Sequence, residues 1–282
     1  MKIKFLVDNR SGHAGLEKEH GLSIYLEADG RKILFDAGAS DACIRNAEAM
    51  GVDLRAVDLA VVSHGHYDHT GGFPAFCRIN EEAPIFIHKN AFRDSYGYTS
   101  DGSRKKDPSG IRWTQSQKEA MRSRFILTEG PVAITENIVI TGTVPLSKGF
   151  HPTETFYYLN EDHAETEDDL SHEQCLVIRE GDGISIFSGC CHRGVISALE
   201  AGMKMFPGEA VKLFVAGMHL YSTSEKNREH VIQQVVDQVL IEQRIRKLMP
   251  VHCTGEAAIQ KLEQALGTQC IAAKTGDEFD EC

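Results

Sequence analysis

The segment Ser63-His64-Gly65-His66-Tyr67-Asp68-His69-Thr70-Gly71-Gly72 carries three imidazoles and a carboxylate within six consecutive residues. Imidazole nitrogens and carboxylate oxygens are the donors that hold zinc and related divalent ions. Alternate side chains of an extended segment point the same way, so His64 and His66 can reach one ion together. Asp68 and His69 follow in the turn and would face a second ion. Three more histidines stand at expected strand ends: His192 after Gly189-Cys190-Cys191, His219 after Gly217-Met218, and His252 before Cys253-Thr254-Gly255. A single histidine in such a place is usually structural. Four such ends in one chain, one of them His-x-His-x-Asp-His, make a metal centre the expected chemistry.

Rigid elements must deliver these loops. The apolar run Leu59-Ala60-Val61-Val62 reads as the strand feeding the histidine-rich loop. Strands are also expected at 3–7, 22–27, 32–35, 84–88, 138–143, 155–159, 174–179, 183–187 and 211–216, with hairpin turns at Asp29-Gly30 and Glu180-Gly181-Asp182. Helices are expected over 40–50, from Ser224 to about Leu248, and from Glu256 onward. The stretch from Asn90 to about Arg112 lacks periodicity and reads as an irregular insertion, a substrate loop or lid. The acidic run Glu161 to Asp169 reads as a solvated loop. The strands fall into two groups, each followed by helices. That pattern predicts an α/β protein with two packed sheets and helices outside, in a single domain over 1–282.

Composition narrows the function. The chain has 282 residues, 41% hydrophobic and 25% charged, with a formal net charge of −11. That balance leaves no basic surplus to neutralise phosphates and argues against a nucleic-acid partner. No stretch has the length and apolarity of a membrane span, and the N-terminus lacks a signal-peptide core, so a cytoplasmic protein is expected. The eight cysteines are scattered without a Cys-x-x-Cys pair, as expected of reduced thiols. His13, His88, His151, His163 and His230 carry no comparable context.

His64-Gly65-His66-Tyr67-Asp68-His69 followed by Thr70-Gly71-Gly72 resembles the signature of the metallo-β-lactamase superfamily, and the resemblance extends over nearly the whole chain. It implies a four-layer αββα sandwich and two divalent metal ions, zinc first, with manganese or iron as alternatives. Leu34-Phe35-Asp36-Ala37-Gly38 is similar to the family's first motif, which implies that Asp36 orients the metal loop from behind. His252 matches the C-terminal metal histidine. Members usually carry an aspartate after Leu-Phe-x-Gly; here Ile186-Phe187-Ser188-Gly189 is followed by Cys190, which reads either as a soft ligand or as a small strand-end residue beside the ligands. His192 is the preferred third-motif histidine and His172 the alternative. The implied ligands are therefore His64, His66, Asp68, His69, His192 and His252, with Asp68 also orienting the nucleophile.

Glu19-His20-Gly21-Leu22-Ser23, Gly189-Cys190-x-His192-x-Gly194, Gly217-x-His219-Leu220 and His252-Cys253-Thr254-Gly255 resemble one branch of the superfamily. That branch includes the archaeal dihydropterin-ribofuranosylaminobenzene-phosphate synthases. The resemblance implies a small phosphorylated, pterin-like substrate, handled by hydrolysis or by transfer with diphosphate departure. Glu19, His20, His219 and Thr254 are then expected at the substrate, Thr254 because it precedes a helix N-terminus suited to a phosphate. Phe92, Tyr96, Tyr98 and Trp113 are candidates for stacking on an aromatic ring. A di-iron redox protein and a non-catalytic metal-containing binding protein are the alternative readings.

Overall fold

The computed structural model describes residues 1–98, 106–146 and 154–280. A seven-stranded sheet runs in the spatial order Glu278–Asp280, Lys2–Val7, Ser23–Ala28, Arg31–Phe35, Leu59–Val61, Ile85–His88 and Phe125–Thr128. A six-stranded sheet runs Ile245–Val251, Val211–Gly217, Gly183–Ser188, Leu176–Glu180, Ile138–Ile140 and Val132–Ala133. Side chains alternate between the two faces of each strand, and the apolar positions follow that alternation. Ile33 and Phe35 meet Phe187, Leu213, Val215 and Val251 in a core between the sheets. Leu34, Ala60 and Val62 face outward onto the helices Ala42–Ala49 and Phe73–Ile79. Ile184, Ile186, Phe214 and Ala216 pack on Val195–Met203, Glu225–Leu240 and Glu256–Leu266. This is the four-layer αββα sandwich.

Besides the short edge strands Phe125–Thr128 and Glu278–Asp280, which the sequence pattern does not indicate, two regions differ from the sequence reading. The long helix begins as expected, with Ser224 Oγ accepting the Asn227 N–H at 3.4 Å. It stops at Leu240, and Ile245–Val251 is a strand parallel to Val211–Gly217. Leu248 faces the outer helices while Met249 and Val251 face the central core. The cations Arg244, Arg246 and Lys247 suit the charged last turn of a helix, and sheet pairing overrides that local signal.

The second difference is a small third sheet. Its order is Glu165–Glu167, Tyr157–Leu159, Tyr96–Tyr98 and Lys106–Pro108, antiparallel throughout. The stretch expected to be irregular therefore supplies two strands, and the acidic run contains a hairpin turn and a strand rather than a free loop. Residues 99–105 of that stretch, and His151, lie outside the described residues. The insertion is tied to the histidine-rich loop, because Tyr67 N–H donates to Ser109 O at 2.9 Å.

Candidate metal centre

The strand Leu59–Val61 ends in a turn that packs against the end of Arg31–Phe35. Asp36, in the left-handed region at φ 56°, turns its carboxylate under that turn. One oxygen accepts the Ser63 N–H at 2.7 Å; the other accepts the Ser63 hydroxyl at 2.6 Å and faces His69 Nδ1 at 2.6 Å. Asp36 thus fixes His69 with its Nε2 pointing inward, the arrangement that orients metal-binding imidazoles. His219 and His252 also have positive φ, 49° and 48°. Such backbone is costly for non-glycine residues and persists where the surroundings enforce it.

Donor atoms of His64, His66 and His192 all lie within 4.8 Å of one another, and all three residues are buried. Their Nε2 atoms have no hydrogen-bond partner among the described residues. Burial pulls the pKa of each downward, that of His66 to about 3, so the rings are neutral and present lone pairs. A cluster of desolvated, partnerless lone pairs is unfavourable by itself and fits a divalent cation.

Beside it lies a second group. Asp68 Oδ2 is 3.2 Å from His252 Nε2, 3.2 Å from His20 Nε2 and 3.8 Å from His69 Nε2. Burial opposes the charge of Asp68, but His69, His20 and His252 hold its carboxyl well below the usual range. Burial likewise opposes protonation of His69, and Asp36 and Asp68 override it, raising its pKa to about 9. Cys190 sulfur sits at the junction, 3.2 Å from His69 Nε2. It also lies within 4.8 Å of donor atoms of His64, His192, His219, His252 and Cys253.

A family model for the metallo-β-lactamase superfamily matches residues 17–169. The chain belongs to the metallo-β-lactamase superfamily. An uncharacterised protein of Methanocaldococcus jannaschii is 29% identical over 265 residues, spanning 93% of this chain and 94% of its own. From the same organism, 7,8-dihydropterin-6-methyl-4-(β-D-ribofuranosyl)-aminobenzene-5'-phosphate synthase is 26% identical over 270 residues, spanning 90% of this chain and 88% of its own. Among solved structures, a metal-dependent hydrolase of the β-lactamase superfamily superposes with a TM-score of 0.81. It is 26% identical and is matched over 100% of this chain and 99% of that one.

Other residues singled out in the sequence take different places. Glu19 accepts the Ala39 N–H at 2.9 Å, the Ser40 N–H at 3.2 Å and the Ser40 hydroxyl at 2.6 Å. Its carboxylate is thereby committed to the loop after Asp36 and braces it. The Thr254 hydroxyl is buried between Met218 N–H and Ala216 O, so it joins two strand ends instead of facing a ligand. His172 Nδ1 accepts the Gly65 N–H at 3.0 Å, and its Nε2 faces Asp168 at 3.6 Å. Its ring stacks on His64 from behind, 6.2 Å between centroids. Trp113 donates to Thr70 O at 2.8 Å and packs on Phe73, Phe92 and Phe125, which makes Trp113 and Phe92 core aromatics. Tyr96 and Tyr98 pack on each other and on Tyr157, and both hydroxyls donate to Glu165.

Several residues at the centre carried no signal in the sequence reading. Buried Glu173 accepts the N–H groups of His192 and Arg193 at 2.7 and 2.8 Å, fixing the loop that presents His192. Asp8 accepts the His252 N–H at 2.7 Å. Phe156 lies against His66 and His192, with ring centroids 4.6 and 5.4 Å away. Glu154 faces His219 Nε2 at 2.9 Å. The adjacency of Glu173 to His172 was the one available hint; the others meet the site only through the fold.

Proposed function

We propose that this chain is a binuclear metal-dependent enzyme that acts on a small phosphorylated metabolite. The observation that carries the reading is the set of buried, partnerless Nε2 atoms of His64, His66 and His192. These three would hold one ion, and Asp68, His69 and His252 the other, with Cys190 sulfur at the junction. Bound divalent ions would supply Lewis acidity toward an ester, phosphate or diphosphate oxygen. The protein's own residues would do the rest. Asp36 and Glu173 hold the ligand loops in place. Asp68 orients the nucleophile. Phe156 provides an apolar wall over His66 and His192 that excludes water. His20 and His219 flank Tyr221, at ring distances of 5.9 and 5.3 Å, and would meet the substrate from the more open side. Exposed Tyr221 offers a ring for a planar group.

The likeness to an archaeal synthase named for a pterin phosphate supports a substrate with a phosphate and a planar heterocycle. The likeness to a metal-dependent hydrolase supports water as one acceptor, so hydrolysis and metal-assisted transfer are both retained. Zinc is the first candidate ion, because imidazole and thiol donors suit it, with manganese or iron as alternatives. The test is metal content of the purified chain together with turnover of phosphodiesters and pterin diphosphates. Two ions per chain and turnover lost in His64→Ala and Asp68→Ala support the reading. A chain that takes up no divalent metal abolishes it.

A further inference from the structure

Among the clusters with metal-compatible spacing, His20, Asp68 and His252 stand out because one amide touches both histidines. Asn9, just beyond the strand Lys2–Val7, places its Oδ1 2.7 Å from His252 Nδ1 and its Nδ2 3.2 Å from His20 Nδ1. The orientation of this amide is fixed by a third contact. The Gly21 backbone N–H donates to Asn9 Oδ1 at 3.1 Å. A backbone N–H can only donate, so the atom facing it must be the oxygen.

The protons of both rings follow from that. His252 Nδ1 faces an acceptor and must carry a proton, which leaves a lone pair on His252 Nε2. His20 Nδ1 faces an N–H and must be bare, so in the neutral ring the proton sits on Nε2, 3.2 Å from Asp68 Oδ2. Two histidines on one carboxylate are thus given opposite chemical roles by one side chain. We infer that Asn9 sorts them: His252 becomes a metal ligand, and His20 becomes a hydrogen-bond donor that does not ligate. The His20 side chain is 43% exposed, while that of His252 is fully buried. The donor therefore stands on the solvent side of Asp68, its one proton directed at the carboxylate. Asn9 is a positioning residue acting through both rings. The His252 half of the inference rests on the binuclear reading above; the His20 half does not.

The test is long-range proton–nitrogen correlation on the full chain with 15N-labelled histidine, metal-free and zinc-loaded, the rings assigned with His20→Gln and His252→Gln. In the wild type, His20 is expected with its proton on Nε2 and His252 with its proton on Nδ1. Asn9→Asp offers only acceptors and should move the His20 proton to Nδ1. Asn9→Ala should erase the preference at His252 and weaken zinc, measured by chelator competition, about tenfold to a hundredfold. His20→Gln should retain the wild-type metal stoichiometry. A His20 proton on Nδ1 in the wild type overturns the inference whatever the metal content, and needs no variant to fold. Loss of one ion in His20→Gln also overturns it. A wild-type chain that binds no zinc overturns the assignment of His252 as a ligand together with the binuclear reading, while the His20 tautomer is still read from the metal-free spectra.

Discussion

The two halves of the candidate metal centre are built on opposite electrostatic principles. His64, His66 and His192 are neutral and desolvated, and among the described residues no carboxylate lies within hydrogen-bonding distance of their Nε2 atoms. Asp68, His69 and His252 form a charged group in which Asp36 and Asp68 raise His69 to about 9. The first half offers lone pairs that need no proton removed at neutral pH. The second half must release the His69 proton before that nitrogen can hold a cation. Deleting a donor from either half is the most severe way to probe the difference. His64→Ala and Asp68→Ala should each lower metal content by one ion and turnover by about a thousandfold, the equivalent of ~4 kcal/mol. Elemental analysis then shows whether the halves empty separately; a chain that keeps both ions in Asp68→Ala breaks the division.

The pH dependence of metal uptake sharpens the same comparison. His69 has a raised pKa, so protons compete for it throughout the neutral range, and competition grows as the pH falls. His66 has a lowered pKa of about 3 and meets no such competition there. Between pH 8 and pH 6 the second equivalent of zinc should weaken by roughly a hundredfold, one proton displaced per ion. The first should change far less. Two calorimetric titrations decide it, and parallel weakening of both equivalents would remove the asymmetry.

A smaller effect is expected from the residues behind the ligands. Asp36→Asn keeps the shape but replaces one acceptor by a donor facing Ser63 or His69, and should weaken zinc about tenfold to a hundredfold. Glu173→Gln leaves one of two buried N–H groups, on His192 or Arg193, without its acceptor, which costs about 1–3 kcal/mol. Burial holds the Glu173 carboxyl above its ordinary pKa, so the wild-type group contributes most below its unfolded value and loses that contribution as pH rises; the substitution should therefore cost most in acid and least at neutral pH. Thermal unfolding of both variants, with and without zinc, separates loss of fold from loss of metal.

How much of this was legible depends on where the information lies along the chain. The loop from His64 to His69 holds its donors in six consecutive residues, and the fold class follows from strand and helix periodicity. Asn9 and His252 are 243 residues apart, and nothing in either local sequence announces that they meet. The same holds for Phe156, whose position over His66 depends on the third sheet. His172 and His192 could not be separated by spacing alone. In the structure the Gly65 N–H donates to His172 Nδ1 and Asp168 stands 3.6 Å from its Nε2, while His192 Nε2 has no hydrogen-bond partner among the described residues, which favours His192 in the proposed ligand set. Glu19 and Thr254 each adjoin a residue at the centre, yet the Glu19 carboxylate is taken up by Ala39 and Ser40 and the Thr254 hydroxyl by Met218 and Ala216, contacts that neighbouring sequence does not announce. The strand Ile245–Val251 was hidden because its cations matched a helix end, and only pairing with Val211–Gly217 reveals it.

The smallest effect is expected where the third sheet meets the uncharged half. Asp168 accepts from Arg93 at 2.9 Å, from Leu170 N–H at 3.0 Å and from the Ser95 hydroxyl at 3.0 Å, and faces His172 Nε2. Burial would raise its pKa, but His172, Leu170 and Ser95 together lower it below the ordinary carboxylate value. A depressed folded pKa contributes stability that is present above the unfolded value and is lost as pH falls through the folded one. Asp168→Asn should therefore destabilise the chain by about 1–2 kcal/mol at neutral pH, where the lost hydrogen bonds involve a charged group. The gap should stay constant down to about pH 5 and close only in stronger acid. An amide can still accept from Arg93 and donate to Ser95; its NH2 then faces the His172 Nε2–H, but across 3.6 Å, longer than a hydrogen bond, so His172 should keep its contact with Gly65 and the first equivalent of zinc should shift by less than about tenfold. Urea unfolding of the variant and wild type from pH 7 to pH 3, followed by a zinc titration at pH 7, tests both halves of this expectation. A zinc shift as large as that of Asp36→Asn would mean that the third sheet helps to hold the metal ligands in place, and would erase the distinction between a pre-set uncharged half and a proton-linked charged one.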